Sequence, residues 1–196
     1  MAIPLMPIIL LLAPILLTLL TPSTLLVSIL RLTPLLSSTV SLVWAYDEYA
    51  FLSAWLLLPP TQYAQIQHLL PLWFAKWGPL GTKVLFSSFP LSLGAGIANI
   101  ISLSRATSSG SGWEVTAYWI GTFFTLLHFA YGPKAMGLLK RIRTETKDGG
   151  DPLGALEKWM DMHLQRCWVA DGPAVVGFGV AVILSLGSGR WCGELV

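Results

Sequence analysis

The chain has 196 residues, of which 54% are hydrophobic and only 11% are charged, and its formal net charge is +2. An ordinary soluble domain carries charge on about a quarter of its residues. This composition therefore excludes a water-soluble fold and predicts an integral membrane protein with one compact membrane domain. The small net charge, without a basic stripe interleaved with aromatic residues, also argues against a nucleic-acid partner.

The N-terminal segment, Met1 to Leu30, is uncharged and exceeds the roughly 20 apolar residues that cross a bilayer. It lacks the basic start and cleavage pattern of a signal peptide, and its prolines predict kinks. We interpret residues 1–35 as a hydrophobic extension, which is either a retained signal anchor or an interfacial, partly processed leader. The membrane domain is then expected over residues 36–196.

The rest of the pattern predicts an all-α fold: a transmembrane four-helix bundle with the additional hydrophobic N-terminal segment and an amphipathic cytoplasmic helix. Its spans are expected at Ser37–Leu58, Val84–Leu103, Trp113–Tyr131 and Gly172–Leu186. The amphipathic, Trp-rich segment Thr61–Lys83 is typical of a separate interfacial helix, because Trp concentrates at the headgroup level. The polar region 134–171 is predicted to contain the cytoplasmic helix, over Leu153–Ala170.

Orientation follows from the positive residues, which are retained on the cytoplasmic side of a membrane. Nine of the 12 Lys and Arg residues fall in the loop before Val84 or in the polar loop 134–171. With the N-terminal segment counted as a fifth span, this places the N-terminus and the polar loop in the cytoplasm and the C-terminus in a lumen, which we expect to be that of the endoplasmic reticulum. If that segment does not span the membrane, only the placement of the N-terminus changes.

Two adjacent acids, Asp47 and Glu48, lie near the middle of the Ser37–Leu58 span, next to Tyr46. An acid at that depth costs at least about 2.5 kcal/mol, so an intramembrane carboxyl is a functional candidate. In this interpretation the acids exchange a proton with a substrate that Tyr46 contacts. In the alternative they mark a break between two shorter segments and reach water.

His128 and Tyr131 are three residues apart at the end of the Trp113–Tyr131 span and share a helix face. A histidine there can take or return a proton at physiological pH, and the tyrosine can contact the substrate. Alternatively, both side chains anchor the helix end at the membrane interface.

The polar helix presents Trp159, His163 and Arg166 at spacings of four and three, which places them on one face ahead of Asp171. This pattern predicts an imidazole, a guanidinium and a carboxylate at the mouth of the bundle, where a pocket with an apolar floor can form. The alternative is a surface helix whose Arg–Asp pair docks it onto the bundle, since ion-pair networks imitate active sites.

Other motifs point away from metal chemistry. Cys167 and Cys192 have no CxxC or CxxH spacing, and the three histidines have no HxxxH spacing, so no metal site is predicted. Trp73 and Trp77 lie at helical spacing in the Trp-rich segment. They are interpreted either as membrane anchors or as part of an aromatic cage for a substrate.

Several short motifs resemble the anthrone-oxygenase-like group of small membrane proteins, which is frequent in fungal natural-product pathways. The likeness covers roughly residues 40–190 and is carried by Leu58-Pro59-Pro60, Leu72-Trp73 to Trp77-Gly78, Tyr131-Gly132-Pro133 with Met136-Gly137, and Trp159, His163, Arg166 and Asp171-x-Pro173. The resemblance implies a bundle of four membrane helices. It also implies oxidation of an anthrone-type polyketide to a quinone by molecular oxygen as co-substrate, without a bound cofactor.

The predicted enzyme acts on a hydrophobic small molecule in the bilayer, with pathway enzymes as possible neighbours. His163 or His128 serves as general base, Arg166 stabilises negative charge, Asp171 orients Arg166 or His163, and Trp159 packs on the substrate. Because the acid pair departs from the family's pattern, a redox-neutral cyclase or isomerase that uses Asp47 or Glu48 as proton donor is a second hypothesis. A non-catalytic membrane scaffold is the third.

Overall fold

The computed structural model describes residues 5–20, 24–105, 112–144 and 149–187, and the regular elements within these ranges are all helical. This confirms the all-α class. The helices are α1 (Leu5–Leu20), α2 (Thr24–Leu56), α3 (Tyr63–Arg105), α4 (Gly112–His128), α5 (Gly132–Ile142), α6 (Pro152–Arg166) and α7 (Gly172–Gly187). Short 3₁₀ turns at Pro60–Gln62 and Phe129–Tyr131 precede α3 and α5, and a π-helical segment, Cys167–Asp171, joins α6 to α7.

Three helical stretches within the described ranges are long and apolar enough to cross a membrane: Leu25–Leu56, Pro60–Arg105 and Pro152–Gly187. Large apolar side chains, among them Phe51, Phe123 and Ile183, are exposed on their outer surfaces and on α4. Monomeric soluble proteins rarely expose apolar surface on this scale, whereas a lipid-facing surface requires it. The chain is therefore a membrane protein.

The predicted separation between an interfacial helix at Thr61–Lys83 and a span at Val84–Leu103 is wrong. Except for Thr61 and Gln62 in the preceding 3₁₀ turn, both belong to α3, a single helix of 43 residues, which at 1.5 Å per residue is about 65 Å long. The prediction failed because Lys83, the charge that suggested a boundary, is exposed on the outside of the helix and does not end it. Prolines within α3 are tolerated, since neighbouring helices can satisfy the backbone groups they free.

The helix that contains the predicted span Ser37–Leu58 starts well before that span, because α2 begins at Thr24 and includes Arg31. Arg31 is buried, and its carbonyl oxygen accepts a 3.1 Å hydrogen bond from the Tyr118 hydroxyl of α4. Asn99 of α3 donates a 2.7 Å hydrogen bond to the Leu30 carbonyl. A charged residue in the sequence thus lies inside the bundle, and residue 35 does not coincide with a helix end.

The polar helix α6 begins with favourable N-capping residues. Asp151 is its N-cap, and the carboxylate accepts a 3.0 Å hydrogen bond from the Gly154 N–H, while Pro152 occupies the first helical turn. At its other end α6 does not stop but widens into the π-helical segment Cys167–Asp171 and continues as α7. The polar helix and the last apolar span therefore form one continuous unit, with the wider turn at their junction.

Two apolar clusters hold the helices together. One joins α2, α3, α5 and α6 through Leu52, Leu70, Phe74, Ile142, Leu156 and Met162, among others. The other joins α3, α4 and α7 through Ile100, Leu103, Ala117, Tyr118, Phe178 and Ala181. Along α6 and α7, the stretch between these clusters holds His163, Arg166 and Asp171, so the buried polar residues lie between two close-packed regions.

Close contact between α4 and α7 depends on paired glycines. A Cβ atom at Gly177 would lie 2.7 Å from the Gly121 backbone nitrogen and 2.9 Å from its Cα. Since backbone atoms cannot move aside like a side chain, we expect Gly177→Ala to destabilise the fold by about 1–3 kcal/mol. Thermal unfolding in detergent micelles measures this effect. In Gly179→Ala, the control on the same helix, the new Cβ would meet nothing closer than 3.9 Å, and equal unfolding midpoints for the two variants would contradict the prediction.

Candidate active site

A cavity of about 490 Å³ opens between α2, α3, the α4–α5 region and the α6–α7 junction. Its size falls within the range of small-molecule sites. Aromatic and aliphatic side chains form much of its wall: Phe74, Trp77, Leu85, Phe86, Phe89, Met136, Leu139 and Trp159. Polar groups are fewer and include Ser41, Glu48, His128, Arg166 and Asp171, so the cavity suits an apolar molecule that is held or attacked at a few points.

A histidine–aspartate pair forms one wall of this cavity. His128, at the C-terminus of α4, places Nδ1 2.7 Å from Oδ1 of Asp171 in the π-helical segment, and both side chains are buried. An ionised carboxylate only accepts, so Nδ1 carries the hydrogen and Nε2 of a neutral ring keeps its lone pair. No side chain in the described part of the chain hydrogen-bonds to Nε2, and the Phe89 ring covers the imidazole with centroids 3.8 Å apart.

Arg166 connects the carboxylate of this pair to a second histidine. Its Nε donates to Asp171 Oδ2 at 3.3 Å, and its Nη2 lies 2.8 Å from His163 Nδ1. The other nitrogen of His163, Nε2, lies 2.8 Å from the Ala45 carbonyl oxygen of α2. Because a guanidinium only donates and a carbonyl only accepts, His163 is neutral in this network with its hydrogen on Nε2. Both ring nitrogens are engaged, and the side chain is fully buried.

Trp159, one turn before His163, stacks on that imidazole with centroids 4.4 Å apart and also lines the cavity. The predicted alignment of Trp159, His163 and Arg166 on one face of α6 is present in the structure. The indole N–H of Trp159 is buried and has no hydrogen-bond partner among the described residues. A buried donor without a partner is costly, so an acceptor on a molecule in the cavity would stabilise it.

On α2 the structure separates the two adjacent acids. Glu48 lines the cavity, and its Oε2 lies 3.8 Å from His163 Nδ1, which is too long for a hydrogen bond. Asp47 instead borders a shallow groove on the outside of α2, and Tyr46 is 71% exposed. Neither lines the cavity. The reason is helix geometry, since successive residues point about 100° apart.

The aromatic candidates are likewise divided. Tyr131 and Trp77 line the cavity, whereas Trp73 does not. Trp73 stacks on Trp77, with ring centroids 5.2 Å apart, and packs at a tilted angle against Trp55, with ring centroids 5.5 Å apart. Trp77 also stacks on Trp44 at 6.0 Å. These rings therefore pack on one another and, through Trp77, form part of the cavity wall.

Several lining residues were not predicted. Ser41 faces the cavity two helical turns before Glu48, and a spacing of seven residues on one helix is the signal that could have revealed it. Lys140 and Arg143, from α5 and its C-terminal end, also line the cavity. Among the described residues no three His, Cys, Asp or Glu side chains cluster as metal ligands. Cys192 lies outside the described residues.

Comparison with known proteins found three relatives of similar length. The chain is 28% identical to the probable epoxidase scpX of Mollisia scopiformis over 163 aligned residues. The aligned region covers 82% of this chain and 98% of that protein. It is 28% identical over 158 residues to the epoxidase pydX of Acremonium sp. (81% and 94%) and 27% identical over 161 residues to the epoxidase gkaX of Penicillium citrinum (81% and 95%). No family model matches, and no solved structure is similar. These relatives confirm the predicted resemblance to small fungal proteins of the anthrone-oxygenase-like type, and they support an oxidative enzyme.

Proposed function

We propose that this chain is a membrane-bound enzyme of natural-product biosynthesis that inserts one oxygen atom into an apolar, unsaturated intermediate, with an epoxide or a quinone as product. The observation that carries the proposal is the buried His128–Asp171 pair in the wall of a largely apolar cavity. The names of the three relatives favour the epoxide. No bound cofactor is proposed, and molecular oxygen is the co-substrate.

The tautomers of the two histidines assign their roles. His128 offers Nε2 as a general base, while Asp171 holds the ring through Nδ1 and stabilises the imidazolium that forms. His163 engages both nitrogens and acts by positioning Arg166. Arg166 lines the cavity, where its charge stabilises negative charge that develops on the substrate or on oxygen. Trp159 packs on the substrate.

Removal of an acidic O–H or C–H proton by His128 converts the substrate into an electron-rich anion that reacts with oxygen directly. The substrate then supplies the electrons that reduce the second oxygen atom to water. An anthrone and oxygen give an anthraquinone and water, and a hydroquinone and oxygen give a quinone epoxide and water. Neither reaction requires an external reductant, so the base and the cavity account for the chemistry.

We further propose that α2, α3, α4 and the joined α6–α7 unit form the four-helix membrane bundle of the sequence prediction. In this arrangement the polar region 134–171 faces the cytoplasm, and the membrane is that of the endoplasmic reticulum. An apolar substrate that partitions into the bilayer can then enter the cavity laterally, next to other enzymes of its pathway.

The proposal is tested with the protein in lipid nanodiscs under ¹⁸O₂, with emodin anthrone and menadiol as probe substrates. We expect one ¹⁸O atom in the product, as the quinone oxygen or as the epoxide, at a rate well above that in empty nanodiscs. Product formation at the spontaneous rate, or label that comes from H₂¹⁸O instead of ¹⁸O₂, would contradict it.

A second candidate function is supported by Glu48, whose carboxyl lines the same cavity as His128. A protonated acid there could open an epoxide or protonate an alkene and so start a redox-neutral cyclisation or isomerisation. Product mass distinguishes the two functions, because the cyclase leaves the mass of its substrate unchanged and works without oxygen.

A further inference from the structure

The cavity has a cationic edge in addition to its buried polar network. Lys140 lies in the last turn of α5, and Arg143 caps its C-terminal end. Both line the cavity that His128 and Asp171 also line, yet both side chains are exposed. Lining residues that remain exposed lie at the opening, so these two cations border the mouth of the cavity.

Packing holds Arg143 at this position. Its guanidinium carbon lies 5.5 Å from the centroid of the Phe74 ring, a cation–π contact. A Cβ atom at Gly78 would come within 2.9 Å of Arg143 Nη2, so the absence of a side chain at residue 78 makes room for the guanidinium. Within the described ranges no carboxylate forms an ion pair with Arg143 or Lys140.

The other cations of this region point elsewhere. Lys134 and Arg141 are also exposed, but neither lines the cavity. Anchoring at lipid headgroups alone does not account for two cations of this helix lying beside an apolar cavity. Lys140 and Arg143 are three residues apart and share a helix face, which makes them a pair able to bind one anionic group.

We propose that Lys140 and Arg143 form an anion-binding rim, which selects substrates whose apolar, unsaturated body ends in an ionised acid such as a carboxylate or an enolate. The apolar body lies against Phe74 and Phe89 inside, and the acid stays at the mouth. This inference rests on the proposed function, because it names the substrate class of the same cavity. The rim fixes one end of the molecule and so determines which carbon reaches His128.

Binding is measured with parinaric acid, a conjugated fatty acid, and its methyl ester, in zwitterionic phosphatidylcholine nanodiscs. The saturable part of the energy transfer from the protein's nine tryptophans, of which Trp77 and Trp159 line the cavity, reports occupancy, after subtraction of the non-saturable transfer to probe in the lipid. We expect the acid to bind roughly tenfold more tightly than the ester, since a charge-assisted contact contributes about 1.4 kcal/mol or more. Arg143→Gln and Lys140→Gln should each reduce this preference, whereas Arg141→Gln, the matched control, should keep it.

Equal affinity of the unmodified protein for acid and ester would overturn the proposal, as would loss of the preference in Arg141→Gln. Nanodiscs with phosphatidylglycerol distinguish substrate from lipid: a preference that persists supports the proposal, and one that disappears assigns the rim to lipid phosphate and overturns it. If Arg143→Gln does not fold, Lys140→Gln carries the test. The assay needs no turnover, so its failure leaves the ¹⁸O₂ result standing, and failure of oxygen incorporation leaves the binding result standing.

Discussion

Replacement of His128 by alanine is expected to lower the rate of oxygen incorporation about 10²–10⁴-fold, the usual contribution of a general base. His128 lines the cavity, and with Nδ1 occupied by Asp171 its Nε2 is available to a substrate proton. The rates are compared in nanodiscs under ¹⁸O₂ with emodin anthrone. Affinity for the probe should change far less, because the lost group acts on the transition state.

The chain offers a matched control in His68, an exposed histidine of α3 that does not line the cavity. His68→Ala should keep the full rate and the full thermal stability. His163→Ala is the informative comparison, because it also removes an imidazole but leaves the proposed base in place. Retention of full activity in His128→Ala, or a greater loss in His163→Ala than in His128→Ala, would mean that His128 is not the base.

Much of the helical pattern could be predicted from hydropathy and from the Gly and Pro residues that interrupt helices. The end of α4 near His128 and a polar helix ahead of the last apolar span were visible in the sequence, because a long apolar run and a Gly-Pro pair give local signals. The π-helical segment that joins these last two elements into one unit was not predicted. The continuity of α3 was not visible. In the sequence, Lys83 suggests the boundary between an interfacial helix and a span. In the structure it is exposed on the outside of α3, and the helix continues past it.

In the candidate site, too, the sequence predicted the arrangement within one helix but not the contacts between helices. Helical spacing predicted that Trp159, His163 and Arg166 share a face, and they do. The meeting of His128 with Asp171, 43 residues away, required the packing of α4 against α7 and the wider π turn. Spacing also could not choose between Asp47 and Glu48, because the choice depends on which side of α2 meets the cavity.

The role of Lys140 and Arg143 was hidden for a different reason. In the sequence they belong to a run of positive residues, and such runs on membrane proteins are read as orientation signals. Their position at the cavity mouth follows from the fold of α5 onto α3, where Phe74 and Gly78 receive the guanidinium. Positive residues in this region can therefore set membrane orientation and, where the fold brings them to the cavity, also contribute to the proposed recognition of substrate.

Asp171→Asn should lower the rate of oxygen incorporation nearly as much as His128→Ala does, although asparagine has the same shape as aspartate. Arg166 only donates, so the amide oxygen must face its Nε, and the amide NH₂ group then faces His128 Nδ1. Nδ1 becomes the acceptor, the hydrogen moves to Nε2, and the ring can no longer take a proton from a substrate.

The same substitution leaves the buried Arg166 charge without its carboxylate, and breaking such a pair costs about 3–5 kcal/mol. Thermal unfolding in detergent therefore accompanies the rate measurement, with Asp161→Asn on the exposed face of α6 as control. Since Asp171 acts through His128, the double variant His128→Ala, Asp171→Asn should be no slower than His128→Ala alone. Fully multiplicative losses would show that the two residues act independently and that the tautomer argument fails.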